Sequence, residues 1–171
     1  TITKSSLPVP QLTLKGLSQV VHNREEELRL EVSASKPDCA ATLNYALAFL
    51  WSVSPDLPHA ATLPSYGNRN SILTLPPYVL YGGTTYVFTL SAIVTSAAHL
   101  NATLTVEVKT SVQPLVAVVA GGGSAVIAQS GPLTLDASSS YDPNLLFVPL
   151  SLATASELQQ AGAGMAFAWS C

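Results

Sequence analysis

The sequence predicts an all-β protein built of two tandem sandwiches, immunoglobulin-like or fibronectin type III-like, the second of them incomplete. An internal repeat carries most of that prediction. LRLEVSAS at Leu28–Ser35 returns as LTLDASSS at Leu133–Ser140, and an aromatic strand follows each copy, FLWSV from Phe49 and FAWSC from Phe167. The copies start 105 positions apart, a spacing that fits one sandwich domain and exceeds a solenoid repeat. The second observation is apolar residues recurring at period two along most of the hydrophobic runs, the pattern of half-buried strands. The third is composition: 10% of the residues are charged, against roughly 25% in an average domain. The balance is made up by Ser, Thr, Pro and Gly, which suits the strands and turns of a secreted or surface protein.

The repeat divides the 171 residues into a first domain, 1–112, and the start of a second, 113–171. Thr1 is not an initiator and Cys171 falls inside a strand pattern, so the chain is expected to be a piece of a larger protein. An entry strand is expected near Pro10 to Leu14. Leu28, Leu30 and Val32 then alternate with Glu27, Arg29, Glu31 and Ser33 in a half-buried strand, and the acidic run REEELRLE from Arg24 is expected to be its solvated approach. In the next strand Tyr45, Leu47, Phe49, Trp51 and Val53 share one face. Ala46, Ala48, Leu50 and Ser52 share the other, apolar enough to predict a central position in the sheet.

Ser71–Pro77 reads as a short strand closed by two prolines that cannot donate to a ladder. After the turn YGGTT, Tyr86, Phe88, Leu90, Ala92 and Val94 line one face of a long strand, and Leu104, Val106 and Val108 line the last strand of the domain. The short join from Thr110 to Pro114 predicts end-to-end stacking with restricted bending. In the second domain Leu115–Val119, Leu133–Ala137 and Met165–Cys171 are the expected strands. Ser140 to Phe167 spans 27 positions where Ser35 to Phe49 spans 14, and ASELQQAGAG within that longer loop suits a short helix ended by glycine.

Trp51 and Trp169 are expected at equivalent core positions, since an aromatic buries roughly 150 to 250 Å². Tyr86, entered from YGGTT, suits a corner position whose hydroxyl bonds back to nearby backbone. Asp136, Asp142 and Asn144 surround a Ser run. They are weak candidates for calcium, which takes six to eight oxygen ligands; the favoured reading is that Asp142 and Asn144 cap a turn pre-set by Pro143. Asn101-Ala102-Thr103 is an N-glycosylation sequon on the outward parity of its strand.

His22, His59 and His99 are scattered, and no nucleophile, base and orienting acid can be assembled, so no enzymatic activity and no cofactor are expected. AGGGS at Ala120–Ser124 lacks the Lys-Ser/Thr of a phosphate loop and reads as a hairpin. A net charge of −3 and a pI near 5.4 argue against nucleic acid. The longest apolar run, Leu115–Ala128, is interrupted by glycines and is shorter than the roughly 20 residues that span a bilayer. Cys39 and Cys171 belong to different domains, expected to lie beyond the Cα separation of about 7 Å that a bridge tolerates. Partners outside the chain, or a free Cys39, remain open.

From Pro114 the order of elements resembles a known family. PLVAVVAGGGSAVIAQSGPLTLDASSSYDPN followed by FAWSC is similar to the second half of the receptor-for-egg-jelly region of polycystin-1-like proteins: entry strand, Gly-Gly turn, L-x-L-D strand, S-Y-D-P-N turn and W-x-C strand. Upstream, DCAATLNYALAFLWSV resembles the family's Cys and Y-x-W segment, and LTLPPYVLYGGTTYVFTLSAIV its strand entry. Two features depart from the pattern. No second cysteine follows Trp51 in the first domain, and the loop from Asn144 to Phe167 is apolar and Ala-rich.

The resemblance implies an extracellular structural or adhesion segment of a surface receptor in the plasma or ciliary membrane, acting as a spacer or force-bearing module. It further implies contacts with other domains of the same ectodomain, association of the full-length protein with a polycystin-2-type channel, and contact with extracellular matrix or glycan. For Cys171 it favours a disulfide to a residue outside this chain. The alternative is a glycan- or protein-binding module using the 145–164 loop. An accessory domain of a secreted enzyme is a third possibility, and it requires a catalytic domain elsewhere.

Overall fold

The computed structural model describes residues 9–35, 46–58, 70–95, 97–124 and 132–170. Cys39, His59 and Cys171 lie outside the described residues, and with them the expectations about the cysteines. The described residues up to 112 hold β1 (Gln11–Leu14), β2 (Gln19–His22), β3 (Leu28–Ser35), β4 (Leu47–Ser54), β5 (Ile72–Leu75), β6 (Thr85–Val94) and β7 (Ala97–Thr110). They form two sheets, β1-β3-β5 and β2-β7-β6-β4. Between the sheets lies one core: Leu28, Leu30, Val32, Leu73 and Leu75 from the first, Trp51, Val53, Tyr86, Phe88, Leu90, Val106 and Val108 from the second. The protein is thus a mostly β sandwich, and among the described residues helix occurs only after 142.

Pleating explains which residues are inside. Along β6 every second residue from Tyr86 to Val94 is buried, because successive side chains leave opposite faces of a strand. Each fully buried Phe or Leu contributes about 1.5 to 3 kcal/mol relative to exposure. The Trp51 indole N–H donates to the Asn70 carbonyl at 3.0 Å, so the largest side chain of the core leaves no polar atom stranded.

Two features differ from expectation. The entry segment is divided: β1 pairs antiparallel with β3, the chain turns at Gly16 (φ 131°), and β2 then pairs in parallel with β7 in the opposite sheet. QVVH is too short to announce β2 by alternation. The second correction concerns β4, expected to be central. It stands at the end of its sheet, paired with β6 alone among the described strands, and Leu50 on its outer face is 52% exposed. An apolar second face shows only that two sides are greasy and cannot fix lateral order.

The stretch from 113 to 170 departs further. Of the expected strands, Leu115–Val119 contributes only an isolated bridge, Val116 to Tyr141. Residues 132–137 and 165–170 join no ladder among the described residues. What forms instead is a small cluster of Tyr141, Leu146 and Ala161 with Val116, Ala153 and Leu158 against it. Helix α1 (Ala155–Ala161) occupies the ASELQQAGAG segment, opened by a capping box between Thr154 and Glu157 and closed at Gly162. Trp169 is corrected accordingly. It is 55% exposed where Trp51 is 2% exposed, so the two indoles are not equivalent. The physical reason is pairing: β4 is laddered to β6 and faced by β3 and β5, whereas among the described residues no strand pairs with the segment around Trp169 to hold it over a core.

Candidate functional site

The most elaborate polar site binds the sandwich to the segment that follows it. At its centre is Arg24, in the turn between β2 and β3. Its neighbours Glu25, Glu26 and Glu27 are solvated, but Arg24 is 1% exposed, which corrects the expectation that the whole acidic run faces water. One guanidinium nitrogen, Nη1, donates to the Pro143 carbonyl at 2.7 Å, and Nη2 donates to the Leu146 carbonyl. These carbonyls belong to the 3-10 turn Pro143–Leu145 and its cap Leu146, so a side chain from the sandwich caps a helical turn of the segment that follows it.

The guanidinium also lies 5.7 Å from the ring centre of Tyr78, at cation–π range. Tyr78 adopts φ 65° and donates its backbone N–H to the Arg24 carbonyl at 2.7 Å. A left-handed Tyr costs on the order of 1 to 3 kcal/mol, offset here by a bond that holds the Arg24 backbone in place. Burial lowers the Arg24 pKa, with the charges of Tyr78, Tyr86, Asp142 and Glu25 opposing, and an arginine stays protonated throughout. Among the described residues its Nε is buried without an acceptor.

The facing surface is the S-Y-D-P-N turn. Asp142 Oδ1 accepts from the Asn144 backbone N–H at 2.9 Å and from its Nδ2 at 2.6 Å, the Asx turn that Pro143 favours. Asn144 is buried and clasps the join: Oδ1 accepts from the Gln113 N–H and Nδ2 donates to the Gln113 carbonyl, both at 2.8 Å. Its own carbonyl accepts from the Gly82 N–H at 3.1 Å. A Cβ on Gly82 would stand 2.1 Å from Asn144 Oδ1, so this close approach requires glycine. Gln113 Nε2 reaches Glu25 at 2.7 Å, and Phe147 packs edge-on against Tyr81 with ring centres 5.0 Å apart.

Beneath this lies Tyr86, fully buried, its hydroxyl accepting from the Tyr81 N–H at 3.1 Å; burial raises its pKa. Thr110, also buried, donates from Oγ1 to the Tyr81 carbonyl at 2.6 Å and accepts from the Thr84 N–H at 3.0 Å. The turn YGGTT and the end of β7 are thereby fixed as the platform for the 142–146 turn.

Of the residues singled out from sequence, Asp142, Asn144 and Tyr86 converge here. Asp136 instead caps its own turn, accepting the Ser138 N–H at 2.9 Å; hydrogen bonding to the Ser138 side chain, then to its backbone, holds the Asp136 carboxyl below the usual range. No group of three His, Cys, Asp or Glu suited to a metal occurs among the described residues. Asn101 is exposed on β7, nine residues from Thr110 and thus about 30 Å away along the strand. Sequence reasoning missed Arg24, Gln113 and the need for Gly82. The bonds from Arg24 span 119 and 122 positions, and no local pattern announces a partner that distant.

The REJ domain family matches this sequence over residues 38–171. No curated protein sequence matches the chain. Among solved structures, the three N-terminal domains of the bacteriophage RB49 Highly Immunogenic Outer Capsid protein (Hoc) superpose with a TM-score of 0.43 and 11% identity, over 60% of this chain and 30% of that one.

Proposed function

Since the chain belongs to the REJ domain family, we propose that it is a spacer or force-bearing segment of a polycystin-1-like surface receptor. REJ domains are extracellular parts of membrane receptors. The proposal assigns the chain no catalytic role, in keeping with its carboxylates: Asp136, Asp142 and Glu157 each cap a turn or helix. Its partners would be neighbouring domains of the same ectodomain and matrix or glycan outside the cell. Through the full-length protein, a polycystin-2-type channel in the plasma or ciliary membrane would join them.

The observation that supports a mechanical role most directly is the Arg24 junction. A tether transmits force only if its joins are as firm as its domains. Here the join from Ser111 to Pro114 is bonded on both sides, through the Ser111 N–H to the His22 carbonyl and through Gln113 to Asn144. Pulled in optical tweezers through handles at Gln11 and Ala161, the first and last residues of its described elements, the protein should hold its length until the sandwich ruptures. A join that yields at forces well below that rupture would refute the spacer reading. Labelling intact cells that carry the full-length protein with a membrane-impermeant reagent tests the location separately.

A cavity of about 220 Å³ lined by Tyr81, Phe147, Glu157 and Gln160 favours the rival reading, a binding module built on the 145–164 loop. It falls below the roughly 300 Å³ at which ligand pockets begin, whereas a second open cavity on the same loop, lined by Ser138, Ser139, Ala155, Leu158 and Gln159, reaches about 310 Å³. Glu157 is also already bonded to Thr154.

A further inference from the structure

The outer face of the β2-β7-β6-β4 sheet shows what the sequon at Asn101 would do. Strand register sets three rows across this face: Asn101, Ile93 and Ala48; then Thr103, Ser91 and Leu50; then Thr105, Thr89 and Ser52. The last row and two of the three residues of the second are hydroxyls. The first is apolar apart from Asn101, and Ala48, Leu50, Ile93 and Phe49 line a shallow apolar cavity of about 210 Å³. None of these nine positions carries a charge, whereas outward-facing charges on β7 begin only at Glu107. Both flanks of the face are open among the described residues. β4 pairs only with β6, and β2 covers β7 only from Glu107 to Thr110. An uncharged, partly apolar sheet face with two open edges invites pairing with another chain.

We propose that Asn101 carries an N-linked glycan whose first sugars lie over Ile93, Ala48 and Leu50 and keep this face from self-association. The proposal rests on the extracellular reading, because only a secreted chain meets the glycosylating machinery. Asn101 and Thr103 are both exposed on one face, as modification requires. In the transfer, Asn101 Nδ2 attacks C1 of the reducing-end N-acetylglucosamine of a lipid-diphosphate-linked oligosaccharide. The N–C1 bond forms, the bond from C1 to the diphosphate oxygen breaks, the amide gives up one proton, and the lipid diphosphate departs. The remaining Nδ2 hydrogen keeps a donor for the Ala98 carbonyl, 3.4 Å away.

Ile93 is the direct cross-strand neighbour of Asn101 and Ala48 lies one strand further, distances of about 5 and 10 Å at the spacing of paired strands. A sugar ring has an apolar face to set against Ile93 and Leu50. Its hydroxyls meet those of Thr103 and Ser91. The occupant of the apolar patch is therefore covalently delivered beside it.

The test is secretion of the chain, behind a leader peptide, from cells that glycosylate, followed by glycopeptide mass spectrometry and light scattering. The expected result is an occupied Asn101 and a monomer. Asn101→Gln and, independently, Thr103→Ala should each raise the weight-average mass at least about twofold, the step from one copy to two. Leu50→Thr combined with Ile93→Thr in the Asn101→Gln background should restore the monomer. A secreted chain with Asn101 unmodified overturns the site, and a modified chain whose mass is unchanged on losing the glycan overturns its covering role. Failure of the extracellular reading shows elsewhere, as absence of surface labelling of the native protein, while the leader-driven chain still reports on Asn101.

Discussion

Arg24→Met isolates the junction, because it keeps the buried stem of the side chain and removes the guanidinium. Two hydrogen bonds from a charged donor, to Pro143 and Leu146, are lost. Such bonds contribute roughly 1.5 to 3 kcal/mol each, net of what water would have supplied. The Nε left without an acceptor argues for the low end, so the two bonds together are worth about 3 kcal/mol. That equals a factor of about 150 in the docking equilibrium of the 142–146 turn. Amide hydrogen exchange reads it at the right places. The Gly82 N–H bonds the Asn144 carbonyl and the Gln113 N–H bonds Asn144 Oδ1, so both report on the docked turn. Phe88 and Val106, paired across β6 and β7, report on the core. Protection at Gly82 and Gln113 should fall about 100-fold while the core amides hold. Arg24→Lys, with one ammonium in place of a two-armed fork, should lie between. Unchanged protection at Gly82 and Gln113 would refute the lock, and an equal fall at all four amides would show that Arg24 supports the core instead.

Gly82→Ala places a methyl 2.1 Å from Asn144 Oδ1 and should destabilise by about 1 to 3 kcal/mol as an overpacked contact; a wild-type thermal melt would contradict the close approach. Trp51→Ala should lose about 3 to 5 kcal/mol, whereas Trp169→Ala, at an exposed site, should stay within about 0.5 kcal/mol. Urea unfolding of the pair decides it, and equal losses would restore the equivalence that the structure denies. His22 is buried, and burial lowers its pKa against the opposing Glu26 carbonyl and charge. The unfolded chain therefore takes up the proton more readily than the folded one. Stability is full above the ordinary imidazole value of about 6.5 and falls as pH drops through it and through the lower folded value. His22→Gln should flatten the urea midpoint over that window, and an identical slope in both proteins would count against the assignment.

The faces of β3, β6 and β7 were legible because a pleated strand writes its burial into alternate residues. Leu28, Leu30, Phe88, Leu90, Val106 and Val108 need no distant information to be assigned inward. The S-Y-D-P-N turn was legible for a similar reason: Pro143 fixes a torsion, and Asp142 and Asn144 lie within reach of their own backbone. The tertiary structure alone decided the rest. Arg24 sits in a run of glutamates, and nothing nearby says that two carbonyls more than 110 positions later exclude water from it. Trp169 repeats the local pattern of Trp51 yet stands exposed, because burial belongs to the sheet that covers a residue and not to the strand that carries it. The same distinction placed β4 at an edge and sent β2 to the opposite sheet from β1. Periodicity is a property of neighbours along the chain, while lateral order, docking and the burial of a charge depend on which distant segments arrive alongside.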